Sequence, residues 1–205
     1  YNLSIGKLAF TKKGDLLMKT LIFCGTPRKQ GDTMALVGEF TNHLEGEYKI
    51  VDSYDSIIKP CMDCRYCWEN AGCCIDDDMQ EVYDYIQECD NILIASPLYF
   101  SELSGQLLAV ASRLQTYFCA RYFRKVKPVE KGKKGGVIIV GGGDGSVENA
   151  YKTACRLLRH MNVRDIAPVV FSHNTNNIPA KYDLKAVENS RNLALFFSSN
   201  PSDKI

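Results

Sequence analysis

Short apolar runs alternate with stretches of helical spacing along most of the chain. Thr20 to Cys24 is the first run and predicts a buried strand. Residues 33 to 44 follow with Met34, Leu36, Val37, Phe40 and Leu44 at helical intervals. Tyr48 to Val51 predicts a second strand, and Asp78 opens a helix to Cys89, with Glu81 three residues on in a capping-box-like pattern. Asn91 to Ser96 predicts the third strand. Residues 105 to 121 predict a longer helix, with Leu103, Leu107, Ala111, Leu114 and Phe118 along one face. Gly136 to Val140 predicts the fourth strand. The helix predicted over 147 to 161 carries Ala150, Ala154, Leu157, Leu158 and Met161 on one side. Asp165 to Phe171 is the fifth strand, where Pro168 favours an edge because it has no N–H to give a ladder. Residues 182 to 197 predict the closing helix.

Five apolar strands separated by helices predict an α/β fold, a parallel sheet with helices on both faces. Ligands of such sheets bind outside the carboxyl ends of the strands, where strand order switches. The loops after strands one, three and four are therefore the ones to read.

The first of them, Gly25-Thr-Pro-Arg-Lys-Gln-Gly-Asp-Thr33, offers hydroxyls, a cation and glycine freedom at a helix N-terminus. There, backbone N–H groups and the helix dipole favour an anion. A phosphate fits, although the loop is neither a P-loop nor a G-x-G-x-x-G fingerprint. An ordinary capped turn is the alternative. In the second, Ser96-Pro-Leu-Tyr-Phe-Ser101, a planar ring could lie against Leu98, Tyr99 and Phe100. The aromatics packing under the next helix is the other reading. The third, Gly141-Gly-Gly-Asp-Gly145, lets backbone approach a flat ligand closely, unless it is merely a flexible connection. Together the three describe a mononucleotide with a large flat base, for which FMN is the natural candidate.

Between strand two and the next helix lies the densest chemistry, Cys61, Cys64, Cys67 and Cys73 in the spacing C-x2-C-x2-C-x5-C, with Cys74 as a spare. Bunched thiolates suit an iron–sulfur cluster or zinc. The two successive x2 spacings point first to a 4Fe–4S centre, whereas zinc sites more often use separated pairs. Free or redox thiols are the third possibility. Cys24, Cys89, Cys119 and Cys155 fall in apolar strands and helices and read as small core residues.

Composition narrows the setting. The chain has 205 residues, 45% hydrophobic and 24% charged, with a net charge of +1, so no global field favours nucleic acid or a membrane surface. No apolar run approaches the ~18 residues of a spanning helix. Arg121, Arg124, Lys125, Lys127, Lys131, Lys133 and Lys134 form the most basic stretch, which reads as a solvated connection. Residues 1–17 lack the apolar segment of a signal peptide and read as an N-terminal extension or a cloning remnant, with Met18 a possible natural start. Residues 18–205 read as one domain with a cysteine-rich insertion at 61–74. Nine cysteines without a secretion signal point to a reducing compartment and so to the cytoplasm.

Several pieces resemble the flavodoxin-fold family of NADPH-dependent FMN reductases, and within it the iron–sulfur flavoproteins. They are Gly25-Thr-Pro-Arg28 with Gly31-Asp-Thr33, the cysteine segment followed by Asp77-Asp-Met79, Ser96-Pro-Leu-Tyr-Phe100 with Ser104-Gly-Gln106, and Gly141-Gly-Gly143. They run from Met18 to about residue 160. The resemblance implies a flavodoxin-like three-layer sandwich with a five-stranded parallel sheet in the order 2-1-3-4-5. It implies that Thr26, Arg28, Gly31, Asp32 and Thr33 surround an FMN phosphate. Ser96, Pro97, Leu98, Tyr99, Phe100, Ser101, Gly141, Gly142 and Gly143 would contact the isoalloxazine. The family often has Asn where this chain has Asp32, whose carboxylate is unhelpful beside a phosphate, so Asp32 is expected to act through its backbone or as a helix cap. Cys61, Cys64, Cys67 and Cys73 would hold the 4Fe–4S cluster, the fourth position being open to Cys74.

Read this way, the protein is an oxidoreductase passing electrons between a 4Fe–4S cluster and FMN, with ferredoxin-type or quinone-type small-molecule or protein partners. Because the cysteine segment follows strand two, it is expected at the same carboxyl rim as the flavin. No catalytic side chain is needed, since the cofactors carry the chemistry. An NAD(P)H-dependent FMN or quinone reductase without a cluster is the alternative, with NAD(P)H as donor, and a non-enzymatic thiol or zinc sensor a third. The resemblance also implies a homodimer or homotetramer, for which the apolar face of the 105–121 helix is the candidate contact. Tyr66 and Trp68 read as shielding the site or packing at an interface. His43, His160 and His173 read as surface or helix-end residues.

Overall fold

The computed structural model describes residues 17–199. The extension expected over 1–17 lies outside them except for its last residue. Seven strands form one sheet: β1 Lys19–Cys24, β2 Glu47–Asp52, β3 Asn91–Tyr99, β4 Glu102–Leu103, β5 Lys133–Val140, β6 Val163–Ile166 and β7 Val170–Ser172. The order is β2-β1-β3-β5-β6, with β7 also on β5 and β4 on β3. All pairings are parallel except β3 with β4. With the short β4 set aside and β6 and β7 taken as one split strand, this is the expected order. The predicted fifth strand breaks at Pro168, which cannot donate to the ladder, so β6 and β7 meet different halves of β5.

The helices are α1 Asp32–His43, α2 Tyr66–Glu69, α3 Met79–Glu88, α4 Gly105–Ala111, α5 Gln115–Tyr122, α6 Glu148–His160 and α7 Leu184–Ser198. Side-chain alternation along the strands feeds two cores. Leu21, Phe23, Ile92, Ile94, Val137 and Ile139 face α3 to α6. Ile22, Leu93, Ala95, Ile138 and Val140 face α1 and α7, which meet through Phe40 and Phe197 edge to face at 5.3 Å. No helix among the described residues is long and apolar enough to cross a membrane.

Four expectations are corrected. The 105–121 helix is interrupted by a 3-10 turn at Ser112–Leu114. Its apolar face is not an external contact: Leu103, Leu107, Ala111 and Leu114 are buried in the protein's own core, and only Phe118 reaches the surface. A parallel sheet needs that cover on both faces. Asp78 and Glu81 form no capping box. Asp78 accepts a hydrogen bond from Ile57 N, Glu81 pairs with Lys49, and Asp77 Oδ1 accepts from Met79 N at the start of α3. In the basic stretch Lys133 is buried rather than solvated, donating to Cys89 O at 2.8 Å.

Candidate functional site

At the carboxyl rim, Cys24 pairs with Ala95, Pro97 with Val140 and Val140 with Ser172, so the strand ends lie side by side. The three candidate loops leave from this edge and are tied together there. Gly25 N donates to Ala95 O at 2.8 Å. A Cβ on Gly25 would stand 2.7 Å from Ser104 Oγ and 2.9 Å from Leu107 Cβ, so only glycine lets the first loop lie against the start of α4. Ser104 caps α4 by accepting from Leu107 N, and its own N–H donates to the buried Ser96 Oγ at 2.9 Å.

Within the first loop Thr26 and Thr33 are buried and Arg28 is exposed. Thr26 Oγ1 accepts from Arg28 N at 3.3 Å, and Lys29 pairs with Asp52 and Asp55. Gly31 is the N-cap of α1 and no side chain caps the helix. Its first-turn N–H groups are thus available to an anion. Asp32 does not supply the cap. Its carboxylate accepts from Ala180 N at 2.8 Å and pins the 3-10 turn Ala180–Tyr182, 148 residues away.

The second loop is shorter than expected because β3 runs on through Pro97 and Leu98 to Tyr99 and turns back as β4. Phe100 and Ser101 alone make the turn, at φ 53° and 61°. Both in the left-handed region, they form the mirror-image turn that ordinarily selects Asn-Gly. Phe100 is wholly exposed, so its ring does not pack under the next helix. Tyr99 is 44% exposed beside it.

The third loop lies on the second and on a fourth. A Cβ on Gly141 would stand 3.4 Å from Leu98, and one on Gly142 would stand 2.7 Å from Asn176 Oδ1. The carbonyls of Gly141, Gly142 and Gly143 accept from Thr175, Asn176 and Asn174 N–H groups. The Asn174–Asn177 turn is a part of the rim that sequence reasoning missed. Its asparagine-rich composition, typical of turns, was the available signal.

The cysteine segment leaves β2 at this rim but docks elsewhere. Cys61 N donates to Ser112 Oγ at 2.9 Å, Thr116 Oγ1 donates to Gly72 O at 2.8 Å, and Trp68 stacks on Phe123 with ring centroids 4.0 Å apart. Arg65 covers the Trp68 ring. These partners begin seven residues beyond Gly105, about 10 Å along the helix. The segment therefore rests on the 3-10 turn and α5 rather than on the three rim loops. The cause is a buried clamp. Arg113 donates to Asp77 Oδ2 at 2.6 Å, to Lys59 O at 3.0 Å and to Ile75 O at 3.2 Å, fixing both ends of the segment to the 3-10 turn. Burial disfavours the Asp77 carboxylate, but hydrogen bonds from Arg113, Lys59 N and Met79 N hold its pKa below the usual range.

Cys61, Cys64, Cys67, Cys73 and Cys74 line one cleft. Asp63 and Arg65, at φ 51° and 63°, fold the segment back on itself between the cysteines. The Cys64 and Cys74 sulfurs stand 3.4 Å apart. Hydrogen bonding from Tyr66 N and then Cys74 lowers the Cys64 pKa. Burial, then the Cys119 thiol, pushes Cys67 up to about 12. Cys119 is a buried residue, as expected, and its thiol interacts with that of Cys67. Among the described residues no group of three or more His, Cys, Asp or Glu side chains is closed around one metal position. In number and softness the thiols nevertheless fit an iron–sulfur cluster better than a harder cation.

Comparison with known proteins matches residues 18–177 to the NADPH-dependent FMN reductase family. An iron–sulfur flavoprotein of Methanocaldococcus jannaschii is 36% identical over 47% of this chain and 51% of its own length, so the chain matches about half of that relative. An iron–sulfur flavoprotein of Archaeoglobus fulgidus is 29% identical over 80% of this chain and 71% of its own. Among solved structures, the NAD(P)H:quinone oxidoreductase of Methanothermobacter marburgensis superposes with a TM-score of 0.69 at 14% identity, covering 90% of this chain and 98% of that one. At that identity the likeness concerns the fold.

Proposed function

The chain belongs to the NADPH-dependent FMN reductase family, on its iron–sulfur flavoprotein branch, and from this premise we propose that it couples a 4Fe–4S cluster held by its cysteine segment to FMN held at the rim. FMN exchanges electrons singly or in pairs and the cluster one at a time, so together they join a one-electron carrier to a two-electron partner. The observation that carries the reading is a thiol-lined cleft on the same chain as an uncapped helix N-terminus at a glycine-lined rim.

In this reading the α1 N-terminus, Thr26, Arg28, Gly31 and Thr33 bind the phosphate. Asp32 contributes only its backbone, because its carboxylate is committed to Ala180. Ser96 to Ser101 and Gly141 to Gly143 orient the ring system, and the Ser96–Ser104 hydrogen bond keeps their loops in register. Cys61, Cys64 and Cys67 hold the cluster with Cys73. Cys74, already beside Cys64, is the competing fourth ligand. Trp68, stacked on Phe123, shields the cleft from water. Ferredoxin-type or quinone-type partners would supply or take the electrons, and nine cysteines with no disulfide among them favour a reducing cytoplasm.

A second reading, an NAD(P)H-dependent FMN or quinone reductase without a cluster, is favoured by the match of residues 18–177 to the NADPH-dependent FMN reductase family. Anaerobic purification with paired flavin, iron, sulfide and zinc analysis separates the two. The proposal expects one FMN with iron and acid-labile sulfide in matching amounts. Stoichiometric FMN without iron or sulfide, bleached rapidly by NAD(P)H, would establish the second reading instead.

A further inference from the structure

We propose that Arg113 is a positioning residue of the thiol site whose Nε–H donates to the sulfur of Cys73 and favours the reduced state of the cluster. This rests on the reading that the cysteines hold a 4Fe–4S centre.

Arg113 is 1% exposed, the largest fully buried side chain among the described residues. Burying a guanidinium is expensive unless its donors are used. Nη1 donates to Lys59 O and Asp77 Oδ2 and Nη2 to Ile75 O, while Nε is buried with no partner. Such orphans are rare in folded proteins and point to a missing partner. The side chain borders the cleft that Cys73 also lines. Cys73 is close enough to Arg113 to be among the electrostatic influences on the guanidinium, after burial and the Asp77 hydrogen bond.

The backbone is shaped to deliver this side chain. The helix tightens to a 3-10 turn over Ser112–Leu114. There Ser112 Oγ receives Cys61 N, and Tyr83 Oη donates to Arg113 O at 2.7 Å. A mid-helix 3-10 stretch commonly marks a functional position. Asp77 occupies the Nη edge of the guanidinium and leaves the Nε edge directed away from it. The other arginine at the cleft, Arg65, is exposed and spent over the Trp68 ring, so it does not substitute.

A four-thiolate cluster is anionic and becomes more so on gaining an electron. An N–H directed at a ligating sulfur withdraws electron density and makes that gain easier. Besides clamping the segment, Arg113 would thus set the potential of the cluster.

The test uses the whole protein purified anaerobically. Redox titration followed by electron paramagnetic resonance should show R113Q with iron and sulfide retained and its reduction equilibrium shifted at least tenfold toward the oxidised form, about 59 mV for a one-electron couple. A second measurement needs no change at Arg113. In the R65Q protein grown with 15N-arginine, pulsed resonance on the reduced cluster should reveal a 15N coupling from a hydrogen-bonded guanidinium. This arm decides the matter if R113Q fails to fold. A fully loaded R113Q protein with unchanged potential, or an absent 15N coupling, overturns the role of Arg113. Unmutated protein without iron and sulfide overturns the cluster reading beneath it.

Discussion

The rim loops and the cysteine segment differ in what holds them in place. At the rim, backbone meets backbone: Gly25 N reaches Ala95 O, Gly141 N reaches Ser172 O, and glycines sit where a Cβ would collide with a neighbouring loop. The parallel sheet fixes those distances, so the site comes with the fold. The cysteine segment carries only the four-residue α2 and hangs on side chains, chiefly the Arg113–Asp77 clamp, Ser112, Thr116 and the Trp68–Phe123 stack. The contrast teaches that two sites on one small protein can be built on separate supports, one of main chain and one of side chains. They should then fail separately.

The largest effect is expected where a buried charge would lose its partner. Asp77→Ala leaves the guanidinium of Arg113 uncompensated and should cost about 3–5 kcal/mol in urea denaturation. It should also expose Cys61 and Cys73 to thiol reagents while the FMN content of the surviving folded protein stays intact. Acid sharpens the same point. The Asp77 pKa is lowered in the fold, so its contribution to stability is complete above the unfolded value, about 4, and is lost as pH falls through the folded value. Asp77→Asn should flatten this acid limb in a plot of Tm against pH.

On the other side of the comparison, Gly25→Val forces a side chain into Ser104 and Leu107. It should cost about 1–3 kcal/mol and deplete FMN while leaving iron unchanged. A smaller loss, about 1 kcal/mol, is expected for Ser112→Ala, which removes the acceptor of Cys61 N. It should be read as faster hydrogen exchange at Cys61. The smallest is Asp32→Asn, within ~0.5 kcal/mol and without effect on FMN content, because an amide oxygen can still accept from Ala180 N.

Much of the scaffold was legible in the sequence, because strand burial and helix spacing leave periodic traces. The split of the fifth strand was foreshadowed by Pro168, and the glycine loops announced the rim. What stayed hidden depends on long-range partners. Asp32 reads like a phosphate-loop residue yet answers to Ala180. Phe118 reads as one of a five-residue apolar face whose other members are inside the core. Arg113 sits within an apolar helical stretch with no local sign that it would clamp Asp77 across 36 residues. The cysteine spacing announced a ligand set but not its docking surface, since spacing carries no information about what a loop rests on.

The central claim is that the two sites are held independently on one chain. Its most direct test is cofactor analysis of the anaerobically purified triple variant Cys61→Ser, Cys64→Ser, Cys67→Ser. Iron and sulfide should fall from roughly four of each per chain, the content of a 4Fe–4S centre, to background, with FMN still stoichiometric. Loss of FMN together with the iron, or iron retained without those thiols, would contradict it.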